Sequence, residues 1–218
     1  MQSYSTKSGD YFAHARKEIQ PSLPLNCARV LEIGCGSGAT LGWLRQNHQS
    51  VRTVGVEIAE VAAEKARSFA DEVHCLDFER HDLPGGAETF DLVLCLDVLE
   101  HMVDPWAVVG RLATQYLEVG GTLLVSLPNV RHYSVVLPLL FGGRWDYEDA
   151  GLLDRTHLRF FTKTSAKALL SHPEFGQVTC TAAGFDDWSA KSVLNAVTLG
   201  IFQELVTYQY FLSVSKVR

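Results

Sequence analysis

Val30-Leu-Glu-Ile-Gly-Cys-Gly-Ser-Gly38 is the stretch whose reading decides the fold. Arg29 to Ile33 are β-branched or aliphatic apart from Arg29 and Glu32, the pattern of a short buried strand. Glycines at 34, 36 and 38 follow at once, and Ala39 to Gln46 then carry apolar residues at helical spacing. Strand, glycine turn and helix in that order form the nucleotide-binding corner of a doubly wound α/β sheet. Backbone without Cβ atoms bends sharply there and lets a flat ligand lie close to the main chain.

Two cofactors use such a corner. Gly34-x-Gly36-x-x-Ala39 satisfies the dinucleotide pattern G-x-G-x-x-G/A. Glu32-x-Gly34-x-Gly36-x-Gly38 resembles motif I of the class I S-adenosylmethionine-dependent methyltransferases. A pyrophosphate wants anion-binding amides beside it, whereas S-adenosylmethionine carries a sulfonium and an ammonium. An acid two residues before the first glycine suits the second ligand.

Composition narrows the function classes. The chain has 218 residues, enough for one domain with a substantial core. With 19 basic and 25 acidic residues its formal net charge is -6, which argues against a general nucleic-acid binder. No apolar run reaches the ~20 residues of a membrane span, and Met1 to Lys7 lack the apolar core of a signal peptide. Five cysteines at 27, 35, 75, 95 and 180 include no CxxC pair and read as buried thiols in a reducing compartment. The expectation is a cytoplasmic enzyme, monomeric or homodimeric, with no nucleic-acid or membrane partner.

Outward from the glycine turn, residues 1–26 read as a flap over the cofactor. A short amphipathic helix there ends near Pro21 and Pro24, and Tyr4, Tyr11 and Arg16 are its possible contacts. Val51 to Glu57 is a second strand ending in an acid 19 residues past Gly38, where a carboxylate receives two ribose hydroxyls. Ile58 should lie beside the adenine. A helix over 59–70 leads to a third strand, Val73 to Phe78, and the Asp77-Phe78 pair resembles the family's adenine clamp. Phe90 to Leu96 is a near-continuous apolar strand for the sheet centre.

That strand runs into a phrase that makes the resemblance specific. "FDLVLCLDVLEHMVDP" looks like the motif IV region of class I methyltransferases, and with motif I it implies that Cys35, Asp97 and Val98 also line the cofactor. Pro105 opens the next helix, and Gly120 to Leu127 is the fifth strand. Pro128 to Thr164 breaks the β-α rhythm and reads as a substrate lid. Its "LLDRTHLRFFT" resembles a bacterial methyltransferase subfamily associated with cell-surface polysaccharide and secondary-metabolite pathways. Its leucine-rich part, Val135 to Phe141, is expected to pack the lid. A helix over 165–172, a strand over 178–183, a long helix over 190–208 and a closing strand over 211–217 complete the chain. The whole implies a Rossmann-like sheet of six parallel strands plus an antiparallel seventh, with helices on both faces.

The chemistry implied is methyl transfer from S-adenosylmethionine to an oxygen, less favourably a nitrogen, of a small metabolite, releasing S-adenosylhomocysteine. An oxygen acceptor must lose a proton, for which a histidine suits. His101, after the fourth strand, is the first choice and His157 the second. Asn129, His132, Tyr133, Arg155 and Arg159 should face the acceptor, which the lid's arginines and aromatics suggest is anionic, sugar-bearing or ring-bearing. Asp97, Glu100 and His101 stand at i, i+3 and i+4. They resemble the metal-binding phrase of ubiquinone-pathway O-methyltransferases, although the first acid differs, and no metal is expected. Rival readings are an NAD-dependent oxidoreductase and a non-catalytic cofactor-binding subunit.

Overall fold

The computed structural model describes residues 15–48, 51–86, 88–183, 190–197 and 203–218. The expected flap contacts Tyr4 and Tyr11 lie outside them. Within them the chain builds one seven-stranded sheet: β1 (Arg29–Ile33), β2 (Arg52–Glu57), β3 (Glu72–Cys75), β4 (Phe90–Leu96), β5 (Leu117–Pro128), β6 (Thr179–Ala183) and β7 (Gln209–Ser215). The spatial order is β3-β2-β1-β4-β5-β7-β6, with β7 antiparallel to both neighbours and the rest parallel. This is the expected arrangement.

The order places the site. From β1 the chain winds outward to β2 and β3, then returns to lay β4 on the other side of β1. Between β1 and β4 the crossovers leave in opposite directions, and the crevice at the carboxyl ends of those strands is where α/β sheets bind ligands. Both central strands are sandwiched: Val30 to Ile33 and Leu92 to Leu96 are all buried. Apolar side chains on both faces of the pleat require layers on both faces, which the helices supply.

Flanking the first half of the sheet are α1 (Ala39–Asn47), α2 (Glu60–Ala66) and α3 (Pro105–Arg111). Asp104 caps α3 by accepting from the Ala107 amide at 3.0 Å, and Pro105 stands at its first turn. The helix that Pro105 opens widens into a π-turn over Leu112–Tyr116, and β5 begins at Leu117, three residues before the strand expected from Gly120. A register shift between Phe90 and Leu92 absorbs the extra length of β5. Gly38 (φ 80°) starts α1, and a Cβ there would sit 2.9 Å from the Ala66 Cα of α2. Gly38→Ala should therefore push two helices apart and add a left-handed strain of about 1–2 kcal/mol. A thermal melt should show a Tm at least about 4 °C lower.

The second half departs further from expectation. Its helices are α4 (Tyr133–Gly142), α5 (Lys163–Leu169), α6 (Ala190–Val197) and α7 (Gln203–Val206). The single helix expected over 190–208 ends before Thr207, and β7 starts at Gln209, two residues early. Apolar residues cover nearly all of α4, so whichever side packs, the rest stay out. Only Val135 is buried, and Leu140 and Phe141 are 68% and 81% exposed, so the segment does not pack the lid as expected. Among the cysteines, 27, 35 and 95 are buried as anticipated while Cys75 is exposed. No helix among the described residues is long and apolar enough to cross a membrane.

Candidate active site

A cleft of about 890 Å³ opens at the carboxyl ends of β1, β2 and β4. Its floor is the glycine turn. Gly34 and Cys35 donate their amides to the Val56 carbonyl at 2.8 and 3.0 Å, which folds the turn back across β2. Gly34 has φ 72°, and a Cβ there would meet Val98 Cγ2 at 2.6 Å, so the turn and the loop after β4 fit only without a side chain. The Gly36 amide donates to Glu57 Oε2 at 2.9 Å and the Ala59 amide to Oε1 at 2.9 Å. Glu57 thus ends β2 with its carboxylate fixed at the cleft wall, and burial raises its pKa against those amide bonds.

Glu32 lies beneath the turn, 3% exposed. Burial pushes its pKa up to about 8, although the Arg16 guanidinium and the Thr40 hydroxyl favour the anion. Arg16 enters from the chain's beginning. It pairs with Asp97 and Glu18, donates to Gln209 Oε1 at 3.0 Å, and its own amide donates to Thr40 Oγ1 at 3.2 Å. Asp97 is the one non-glycine residue with positive φ (53°) among the described residues. Ser126 explains how that is held, since its hydroxyl accepts from the Asp97 amide at 3.0 Å and donates to Oδ1 at 2.8 Å.

At the adenine end, Ile58 is exposed and Asp77 accepts from the Glu79 amide at 3.0 Å while pairing with Arg80 at 3.4 Å. Phe78 borders the cleft with its ring buried, 3% exposed, 5.5 Å from the Tyr116 ring and beneath the Arg111 guanidinium.

Residues 100–103 and 154–158 form the opposite end. His101 ends a single 3-10 turn, Leu99–His101, and its Nδ1 lies 3.1 Å from the Thr156 carbonyl oxygen. His157 meets it edge-on with ring centroids 4.7 Å apart. Glu100 is 1% exposed, its Oε1 lies 3.9 Å from His157 Nε2, and its Oε2 has no hydrogen-bond partner among the described residues. Burial and the nearby Asp97 charge raise the Glu100 pKa well above the ordinary carboxylate range. The helix begins only at Leu99 and Asp97 is committed to Arg16, Ser126 and Gln209, so the i, i+3, i+4 face expected at 97–101 does not form. His157 instead joins Glu100 and His101, with donor atoms within 4.8 Å of one another.

Several expected acceptor contacts lie elsewhere. Asn129 is fully buried and spends its side chain on the Glu204 and Thr207 carbonyls, at 2.6 and 2.8 Å, and on the Arg131 amide. His132 caps α4 through Ser134 and stacks against Tyr133, which points to the surface. Arg159 donates to the Val103 carbonyl and lies over Trp106. Arg155 reaches the cleft rim but pairs with Asp149 at 3.0 Å. Gly38 serves the helix contact rather than the cleft wall. Sequence reading missed Thr40, Tyr208 and Gln209, all of which line the cleft. Tyr208 carried no signal because 190–208 reads as one helix, and Gln209 falls between that helix and the strand expected from 211.

The chain is similar to known proteins over most of its length. Residues 9–176 match the family described as "Methyltransferase domain". The ubiquinone biosynthesis O-methyltransferase of Coxiella burnetii (strain Dugway 5J108-111) is 29% identical over 135 residues, covering 59% of this chain and 55% of that protein. That of Bradyrhizobium sp. (strain ORS 278) is 31% identical over 135 residues, covering 59% and 52%. The chain thus spans about half the length of these curated relatives. A SAM-dependent methyltransferase from Archaeoglobus fulgidus superposes with a TM-score of 0.69 at 18% identity, over 98% of this chain and 100% of that one. At 18% identity that likeness concerns the fold. The chain belongs to the family described as "Methyltransferase domain".

Proposed function

We propose that the cleft holds S-adenosylmethionine extended along the sheet edge and delivers its methyl group to an oxygen of a small ring- or sugar-bearing acceptor. Glu57 takes the ribose hydroxyls, Ile58 and Asp77 face the adenine, and Glu32 with Arg16 and Asp97 surrounds the amino-acid end. The observation that carries the reading is the pair of imidazoles, His101 and His157, at the end of β4 opposite the glycine turn. The acceptor's lone pair attacks the methyl carbon in line, the carbon–sulfur bond breaks, S-adenosylhomocysteine leaves as a neutral thioether, and His101 Nε2 takes the hydroxyl proton.

The acceptor is better read as an uncharged hydrogen-bond donor than as an anion. Arg159 is spent on Val103 and Arg155 on Asp149, while the buried ionisable groups at this end, besides the histidines, are the acids Glu100 and Asp154. A hydroxyl finds acceptors there, and the two arginines expected to pair with a carboxylate or phosphate are engaged elsewhere.

Glu32 gives this reading a pH signature. A buried acid with a pKa near 8 is mostly protonated at neutral pH, and a bound ammonium favours its anion. Affinity for S-adenosylhomocysteine should then rise as pH increases from 6 to 8, with proton release visible as a buffer-dependent heat, and Glu32→Gln should flatten the profile. In the empty protein the sign is opposite. The folded chain keeps a proton that the unfolded chain loses near 4.5, so this residue's contribution to stability falls as pH climbs toward about 8.

The test is incubation with S-adenosylmethionine and a panel of phenols, catechols and hydroxylated rings, following S-adenosylhomocysteine by mass spectrometry. Turnover that survives a chelator supports the histidine-base reading. Turnover lost to chelator and restored by Mg²⁺ or Zn²⁺ would replace it with a cation-assisted one, to which the Glu100, His101 and His157 donors lend their spacing.

A further inference from the structure

The lid phrase Leu152–Leu158 does something its charges do not suggest: it dictates which nitrogen of His101 carries the proton. Asp154, 1% exposed, accepts twice from Thr156 through Oδ1, from the amide at 2.8 Å and from the hydroxyl at 2.7 Å. A hydroxyl has one proton to give. With that proton on Asp154, Thr156 Oγ1 can only accept toward His101 Nδ1, 3.1 Å away. The Thr156 carbonyl oxygen, which has no proton at all, lies 3.1 Å from the same nitrogen. Two acceptors converge on Nδ1, and only a protonated Nδ1 satisfies them. The neutral ring then carries its lone pair on Nε2.

We propose that Asp154 and Thr156 are positioning residues that lock His101 as the Nδ1–H tautomer, so that the lid itself creates the basic nitrogen at Nε2. The catalytic consequence rests on His101 being the base, whereas the tautomer stands on these hydrogen bonds alone. His157 follows the same rule, its Nδ1 lying 3.2 Å from the Leu152 carbonyl oxygen. The lid is bound to the same loop by two further contacts, the Leu158 and Arg159 amides donating to the Glu100 carbonyl at 2.8 and 3.0 Å. Docking of residues 152–158 and assembly of the base are therefore one event.

Nitrogen-15 NMR of the histidine rings in the full chain reads the tautomer without any acceptor, at a pH where the imidazoles are neutral. His101→Gln assigns the signals. The wild-type protein should show a protonated Nδ1 and an unprotonated Nε2 for His101. Thr156→Val, which keeps the shape and the carbonyl but removes Oγ1, should admit a measurable fraction of the Nε2–H form, and Thr156→Ser should restore the wild-type pattern. A protonated Nε2 in the wild-type protein overturns the lock, as do superimposable ring spectra for wild type and Thr156→Val. If His101→Gln still turns over while the wild-type ring shows a protonated Nδ1, the lock stands and the base assignment falls.

Discussion

Glu57→Ala should weaken S-adenosylhomocysteine binding by about 100-fold or more in a calorimetric titration. The carboxylate is already oriented by the Gly36 and Ala59 amides, at 2.9 Å each, so under the proposed reading it would meet two ribose hydroxyls without reorganising. A hydrogen bond to a charged group contributes about 1.5–3 kcal/mol, and two such bonds reach a hundredfold even at the low end. Part of the loss will come from the turn, because Gly36 gives up its acceptor. Glu57→Gln separates the two contributions, since its amide oxygen can still receive one bond while the charge is gone. A glutamine variant intermediate between wild type and alanine would show that charge and turn geometry both count.

His101→Gln should lower turnover by about 10²–10⁴-fold, the usual scale for removing a general base. Its affinity for S-adenosylhomocysteine should stay near that of the wild type, because His101 packs against Thr156 and His157, apart from the residues proposed to hold the cofactor. His157→Gln should cost less. Its Nδ1 is tied to Leu152 and its Nε2 faces the buried Glu100, which suits it to support the neighbouring ring. A single-turnover experiment with quenched product analysis distinguishes a slowed chemical step from slowed release. Equal losses in both variants would place the two imidazoles in one shared role.

What the sequence disclosed and what it hid divide along contact distance. The corner at 30–38 was legible because strand, turn and helix are neighbours in the chain, and each glycine answers a local demand for positive φ. Glu57 was legible for a similar reason, since the end of β2 lies beside the end of β1 through the parallel register Ile33 to Val56. Asp97 was legible as a cleft residue but not as the partner of Arg16, Ser126 and Gln209, which come from 81 residues before and 29 and 112 residues after it. Nothing in a pattern of apolar spacing records such encounters.

Phe78 shows a second limit. Its position after β3 is that of an adenine clamp, yet the Arg111 guanidinium and the Tyr116 ring offer its face a buried seat, and the ring takes it. Asn129, His132 and Arg159 were misplaced for a third reason. Polar residues in a lid read as ligand contacts, while backbone groups at the ends of α4, α7 and the 103 loop needed partners and claimed them. Thr156 was legible only as a letter of the "LLDRTHLRFFT" phrase, and its significance rests on a hydroxyl proton already committed to Asp154.

The most direct test of the account is calorimetric titration of the unmodified chain with S-adenosylhomocysteine, with NADH in a parallel cell. Saturable micromolar binding of the thioether with no heat from NADH is the predicted result, and it would establish the cleft between β1 and β4 as an adenosyl-thioether site. Heat with NADH and none with S-adenosylhomocysteine would contradict the reading of Glu32, Glu57 and the glycine turn together, and with it the methyl transfer built upon them.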